Sequence, residues 1–306
     1  MAVPMRSTDF RSVVEPILNE VFDGVYDQRA DEWKMVFKEF TGTPRAYHEE
    51  PVLFGFGAAP ELPDGTPVNY QAGGVLFIQR LVYKVYGLAF ALTKVLVEDG
   101  DHISIGRTYA EHLAQSLIET KETLCANILN FAFNAAFIGG DGVPLVAPNH
   151  PLAPPAGSFS NQMTTAAALS QTSVEQLLIQ IRQAVDNNGK RIRLNPEQII
   201  CAPGNVFQAE VILKSVLRAG TANNDINPIK SIGLLHRGQA NLTRLTSATA
   251  WWIQTNAPKG MVLAMRRRLE KSMEGDFDTD SMRYKATERY NPNWIDPRAV
   301  YGTPGL

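Results

Sequence analysis

Two cysteines, Cys125 and Cys201, are all that the 306 residues contain, and neither lies in a CxxC pattern. That spacing excludes a disulfide framework and a cysteine-ligated metal, and both side chains read as buried thiols kept in a reducing compartment. Also missing is any uncharged apolar run of about 18 residues, so no membrane-spanning helix is expected. The opening MAVPMRSTDFRS has no basic stretch leading into an apolar one. No signal peptide is expected from it, and the chain should be made and kept in the cytosol. Nor is there a GxxxxGK[ST] phosphate loop, a GxGxxG after a strand, an HExxH or a GxSxG. These absences close the commoner routes to an enzyme, so no catalytic, cofactor or metal residue is expected.

Charge of one sign is lacking too. Lys and Arg number 29 against 31 Asp and Glu, a formal net charge of -2, which gives no broad attraction to a phosphate backbone. The charge is uneven along the chain. Residues 1–50 carry ten acids against six Lys and Arg, whereas 181–245 carry nine bases against four acids. Either subunits orient against one another through this asymmetry or the charges are solvated surface.

What is present is an ordinary globular composition, 44% hydrophobic, with 23 Gly and 19 Pro that argue against a helical bundle. Phe10, Val13, Val14, Ile17, Leu18, Val21 and Phe22 recur at three and four, which predicts an amphipathic helix interrupted or started near Pro16. The stretch 31–40 reads as a short helix or strand. Residues 41–74 are rich in Gly and Pro and have no helical period. A Pro63-Asp64-Gly65-Thr66-Pro67 turn joins their two extended limbs. Such a segment cannot make a core, yet it carries Tyr47, Leu53, Phe54, Phe56 and Tyr70, so it is expected to pack on another chain.

Val75 to Thr93 predicts a β-rich run covered on both faces, bending at Gly87. The clearest helix is predicted over about 104–134, from Ile105, Tyr109, Leu113, Leu117, Leu124, Ile128 and Phe131. A second helix is predicted over 174–187 behind Thr172 or Ser173 as cap. Residues 190–260 read as α/β: a strand at 198–201, a helix from Val206 to Leu217, and strands near 232–235 and 251–253. Strands are then expected at 261–269 and 282–288, joined by an acidic loop from Glu270 to Asp280, with Met282, Tyr284 and Ala286 facing inward. The fold class expected is therefore α+β.

Side chains with chemical potential all have a plain reading. His48, His102, His112, His150 and His236 are too scattered to form a ligand pair and read as surface or capping residues. Glu49-Glu50, Glu98-Asp99 and Asp276/Asp278/Asp280 read as solvated turns, without the Gly and Glu of a calcium loop. Arg266-Arg267-Arg268 would alternate across a strand and form no groove-tracking stripe. Salt bridges to the nearby acids or to a neighbouring subunit fit that run better. Trp251-Trp252 reads as one buried ring and one interface ring.

Several motifs together carry a resemblance. They are Gly139-Gly140-Asp141-Gly142-Val143-Pro144-Leu145 followed by His150-Pro151, Leu194-Asn195-Pro196-Glu197 leading to Ala202-Pro203, and Asn227-Pro228. They end with Glu288-Arg289-Tyr290-Asn291-Pro292, Trp294, Asp296-Pro297-Arg298 and Tyr301-Gly302. In order and spacing the chain resembles the major head subunit of Mu-like phages and prophages, within the tailed-phage capsid proteins of HK97-type fold.

That resemblance implies an N-terminal arm at 1–40 and an extended β-hairpin loop at 41–85. A peripheral domain would run over 86–189, built on a long spine helix at about 104–134 with the loop and helix that follow. It also implies an axial α/β domain at 190–260 and C-terminal strands at 261–306 that return to the peripheral domain. The function implied is a major capsid protein that self-assembles as pentamers and hexamers into an icosahedral head around double-stranded DNA, in the virion, after assembly in the bacterial cytoplasm. A shell enclosing a protein cargo is the alternative. Intersubunit contacts are expected from Phe10, Phe22, Tyr47, Leu53, Phe54, Phe56, Tyr70, Trp252, Arg266, Arg267, Arg268 and Trp294. Partners implied are further copies of the chain, a separate scaffolding protein, a protease, a portal, a decoration protein and non-specific contact with packaged DNA, with no membrane. Bending between near-equivalent copies is expected at Gly87, Gly189 and Lys259-Gly260. Lys84 and Lys94 suggest a covalent Lys–Asn crosslink, but no motif places the pair, and the expected shell is noncovalent.

Overall fold

The computed structural model describes residues 7–28, 31–93, 96, 102–218, 225–276 and 281–306, and the side chains of 7–13 and 102 are left aside. Helix α1 spans Ser7–Gln28. Pro16 lies inside it without ending it, on the exposed face, where the lost backbone bond costs least. Its inward face, Val14, Leu18 and Phe22, packs on Ala110, Leu113, Ala114 and Leu117. Those four belong to α2, His102–Asn130, whose 29 residues run about 44 Å at ~1.5 Å each. Alanines at 110 and 114, one turn apart, let the two helices approach closely.

Both helices lie on a four-stranded sheet of order β1-β10-β11-β4, in which β1 is Lys38–Thr41, β4 is Lys84–Thr93, β10 is Met261–Asp276 and β11 is Ser281–Trp294. Met273, Tyr284 and Ala286 are buried against α1 and α2, while Met282 is only partly buried. The acidic stretch from Glu270 does not form a loop. It continues β10 in register with β11 as far as Asp276, which pairs with Arg283 across the strands. Cross-strand ion pairing offsets the poor strand propensity of those acids. Asp278 and Asp280 lie outside the described residues, as do Lys94 and Glu98-Asp99.

The β-rich run over 75–93, expected to bend at Gly87, is divided earlier into two strands. β3, Gly74–Val82, pairs with β2, Tyr47–Phe54, as an isolated hairpin, and β4 pairs with β11. The break falls at Tyr83, which is buried beside Leu81, Val262 and Ile295, and the strand runs through Gly87 unbroken.

A second sheet has the order β12-β9-β7-β8, from Val300–Thr303, Trp251–Thr255, Pro196–Cys201 and Gly238–Asn241. β7, β9 and β12 are nearly all buried, whereas the edge strand β8 is mostly half-buried. Helix α3 (Gln171–Arg182), α4 (Val206–Lys214) and α5 (Pro228–Ile232) contribute to the same core. Ser170 caps α3, earlier than expected, because it and Ser173 form a reciprocal capping box. Residues 232–235 are not a strand. Asn227-Pro228 is an N-cap and first helical residue, so a short helix takes that place and the strand comes at 238–241. Both Trp251 and Trp252 are buried, at 0% and 1% exposure, with Phe133 stacked on Trp252. Cys125 and Cys201 are free and buried.

Candidate functional site

Two kinds of place draw the motif residues and the candidate contacts together: a buried polar hub and an exposed apolar loop. The hub is built on the loop after α2. Gly140 passes so close to the Ile78 carbonyl that a Cβ would lie 2.4 Å from it, and Gly142 has φ of +80°. The glycine run thus serves a tight turn that presses on β3. It aims Asp141 at His150, whose Nδ1 lies 2.6 Å from Asp141 Oδ2 and whose Nε2 lies 3.0 Å from Asn161 Oδ1. His150 is fully buried, not a surface residue as its isolation in sequence suggested. Asn161 Nδ2 donates to the carbonyls of Leu145, Pro297 and Val300, and its Oδ1 accepts from Ala147 N–H at 2.8 Å. One amide side chain therefore joins the post-α2 loop to the C-terminal segment. Arg298 lies over Phe159, which stacks on His150, and donates to the Val185 carbonyl at 2.8 Å.

Asn227 acts similarly nearby, donating to the Ile212 carbonyl at 2.7 Å and capping α5 through Ile229 N–H. Gly302 leaves room for Trp252, against which a Cβ would sit 2.3 Å away. Glu288 is buried and pairs with Lys121 at 2.7 Å, while Tyr26 bonds to both. Burial foremost, followed by the Glu288 charge, pushes the Tyr26 hydroxyl far above its ordinary range. Among the described residues no group of His, Cys, Asp and Glu could hold a metal. Asn161 carries no signal in the sequence, because nothing in its surroundings, Ser-Asn-Gln, marks a buried residue.

The candidate contacts separate sharply. Leu53 (62% exposed), near the end of β2, and Phe56 (60%) and Tyr70 (97%), in the loop beyond it, are bare, and residues 55–73 are all exposed. Tyr47 and Phe54 are partly exposed at the hairpin, where Arg80 lies over Tyr47. The tip holds its expected turn through Thr66 N–H and hydroxyl to the Pro63 carbonyl. Phe22, Trp252 and Trp294 are instead covered by the chain's own core. Arg266, Arg267 and Arg268 fall where the β10–β11 register shifts. Arg266 bonds the Pro44 carbonyl, Arg267 pairs with Glu270 and Arg268 with Glu39. The side chain of Phe10 lies outside the described residues.

At the foot of the hairpin lies a groove of about 390 Å³, with Arg80, Lys84, Tyr86, Phe131, Phe137 and Ile138 on its walls. Phe137 and Ile138 are about half exposed. A second groove, about 590 Å³ and mostly apolar, runs between α3 and α5 beside the exposed Ile179 and Ile232.

No curated protein sequence matches the chain. Solved structures do match. A virus-like particle from Pyrococcus furiosus is 12% identical, covers 94% of this chain and 98% of its own, and gives a TM-score of 0.52. The capsid of cyanophage P-SCSP1u is 12% identical over 91% of this chain and 89% of its own, with a TM-score of 0.55. At such identities the likeness shows the fold alone, and it places this α+β architecture with the HK97-type shells. A family model described as phage capsid protein matches residues 82–303, most of the chain, and the protein therefore belongs to the phage capsid protein family.

Proposed function

We propose that this shell-forming, non-enzymatic subunit is the major head protein of a Mu-like phage or prophage, assembling as pentamers and hexamers around double-stranded DNA. In this reading residues 1–40 are the arm and 41–85 the extended loop. The peripheral domain is 86–189, with α2 as its spine, the axial domain is 190–260, and 261–306 return to the peripheral domain. The observation that carries the reading is the loop 55–73: it exposes Phe56, Leu62, Val68 and Tyr70 and touches no core of its own. A single chain gains nothing from that arrangement. Covering each such large side chain with a second copy is worth roughly 1.5–3 kcal/mol before ordering costs.

Charge favours the groove at the hairpin foot as the place of contact. Residues 55–73 contain Glu61 and Asp64 and no Lys or Arg, while the groove carries Arg80 and Lys84. The chain's own loop starts at the far end of β3, about 26 Å from the groove at ~3.3 Å per residue. Asn187 and Asn188 hold its base there, through the carbonyls of Leu53 and Phe56. A neighbour's loop meets the groove more readily, in a head-to-tail contact that closes into rings. Scaffold, protease, portal and decoration proteins belong to this reading as separate partners, and assembly in the bacterial cytoplasm with it.

A shell around a protein cargo is the second reading, which the same fold would serve. Electron microscopy with an absorbance spectrum, on particles from induced cells, separates the two. Icosahedral particles with a nucleic-acid spectrum support the head protein. Shells with a protein spectrum support the cargo container, and a small discrete oligomer at native concentration refutes both.

A further inference from the structure

Between α1 and β1 the chain makes a 3-10 turn, Glu32–Met35, whose Trp33 is buried. The turn is held to α2 by Glu122, which is 4% exposed and accepts the Trp33 N–H at Oε2, 3.0 Å away. The other oxygen, Oε1, is buried without a partner, and so is Trp33 Nε1. The gap they border, with Glu32, Cys125, Leu242 and Arg244 around it, has no room for a water molecule to supply the missing bond.

Among the described residues, every cation nearby is committed elsewhere. From the loop after β8, Arg244 pairs with Glu32 of the turn and with Glu119 of α2, and Glu32 also accepts from Thr243. Lys121, next to Glu122 on α2, is turned to Glu288 and Tyr26. Asp31 on the turn is paired with Lys34 and adds negative charge. A charged Glu122 thus has only backbone N–H groups of the turn, those of Trp33 and Glu32, and among the described residues no cation, and it faces the Glu32 carboxylate across the gap. A buried charge in that position is costly, and the group holds its proton instead.

We propose that Glu122 is a proton-operated latch on the N-terminal segment: neutral, it fastens the Trp33 turn against α2, and ionised, its unpaired charge beside Glu32 loosens that turn. The latch concerns the hinge of this chain and does not depend on what the shell encloses. Burial first, and then the Glu32 charge, push the carboxyl up to about 7, against the lowering effect of the Trp33 and Glu32 N–H groups. An acid whose folded value is raised gives stability that is whole below its unfolded value of 4.5 and is lost as pH rises to about 7. Acidification therefore fixes the segment, and neutral pH leaves it easiest to release.

Cys125 borders the same gap and reports its opening. Alkylation of Cys125 by iodoacetamide is compared between the full-length protein and Glu122→Gln at each pH, so that intrinsic thiol reactivity cancels. The wild-type rate relative to the variant should rise close to tenfold per pH unit between about 5 and 7 and level off above. Glu119→Gln, which changes an exposed carboxylate on the same arginine, should keep the wild-type profile. Should Glu122→Gln not fold, amide exchange of residues 31–37 relative to 251–255 in the wild-type protein gives the same comparison. A ratio flat from pH 5 to 7, in either measurement, overturns the proposal.

Discussion

The strand Trp251–Thr255 and the loop 55–73 both carry aromatic and aliphatic side chains and use them in opposite ways. Every residue of the strand is buried, and every residue of the loop is exposed, Tyr70 almost completely. Backbone pairing makes the difference. β9 has a ladder on both sides, to β7 and β12, so its side chains are fixed over a core. The loop contains three prolines and only a tip turn, so it cannot bring its apolar groups onto any surface of its own chain. Burial in the strand stabilises the fold, whereas exposure in the loop is a potential that only another molecule can realise.

The largest expected effect lies in the strand. Trp252→Ala should cost about 3–5 kcal/mol of stability, since the cavity beneath Gly302 and Phe133 cannot close. Denaturant unfolding of the unassembled chain measures it, and a loss under 1 kcal/mol would place the ring outside the core. Next comes the buried Lys121–Glu288 pair, where Lys121→Met leaves Glu288 and Tyr26 without their cation. It should cost roughly 3 kcal/mol, because one uncompensated charge stays buried. Asn161→Leu should cost about 1–3 kcal/mol by stranding the Leu145, Pro297 and Val300 carbonyls, with a faster amide exchange at 297–303 as the local sign. Smallest in stability is the double change Phe56→Ser and Tyr70→Ser, within about 0.5 kcal/mol. Sedimentation should nevertheless show that this variant no longer forms shells. A variant that assembled normally would erase the contrast between the two regions.

Much of the architecture was legible. Period located α2 to within a few residues and marked the buried face of α1, because amphipathic helices write their buried face at three and four. The inward faces of Tyr284 and Ala286 followed from alternation. The misreadings share a cause. Pro16 sits inside a helix because its ring faces outward, and the run over 75–93 breaks at Tyr83 and not at Gly87 because two different sheets claim its halves. The acids after Glu270 stay in a strand because Arg283 lies opposite, and His150 is buried because Asp141 and Asn161 supply both of its partners. None of these is a local property.

By itself the sequence determined the α+β class, the lack of catalytic motifs, the long helix, and a Pro- and Gly-rich segment with aromatic residues it cannot bury. These depend on residues near one another in the chain, whose sterics and hydropathy act at short range. Only the tertiary structure decided that Phe22, Trp252 and Trp294 are covered while Phe56 and Tyr70 are bare. It alone joined Asp141 to His150 and Asn161, and it left Glu122 buried with an unpaired oxygen beside Glu32. Burial and electrostatic pairing are set by groups far apart in sequence, and their sign is fixed only when the packing is.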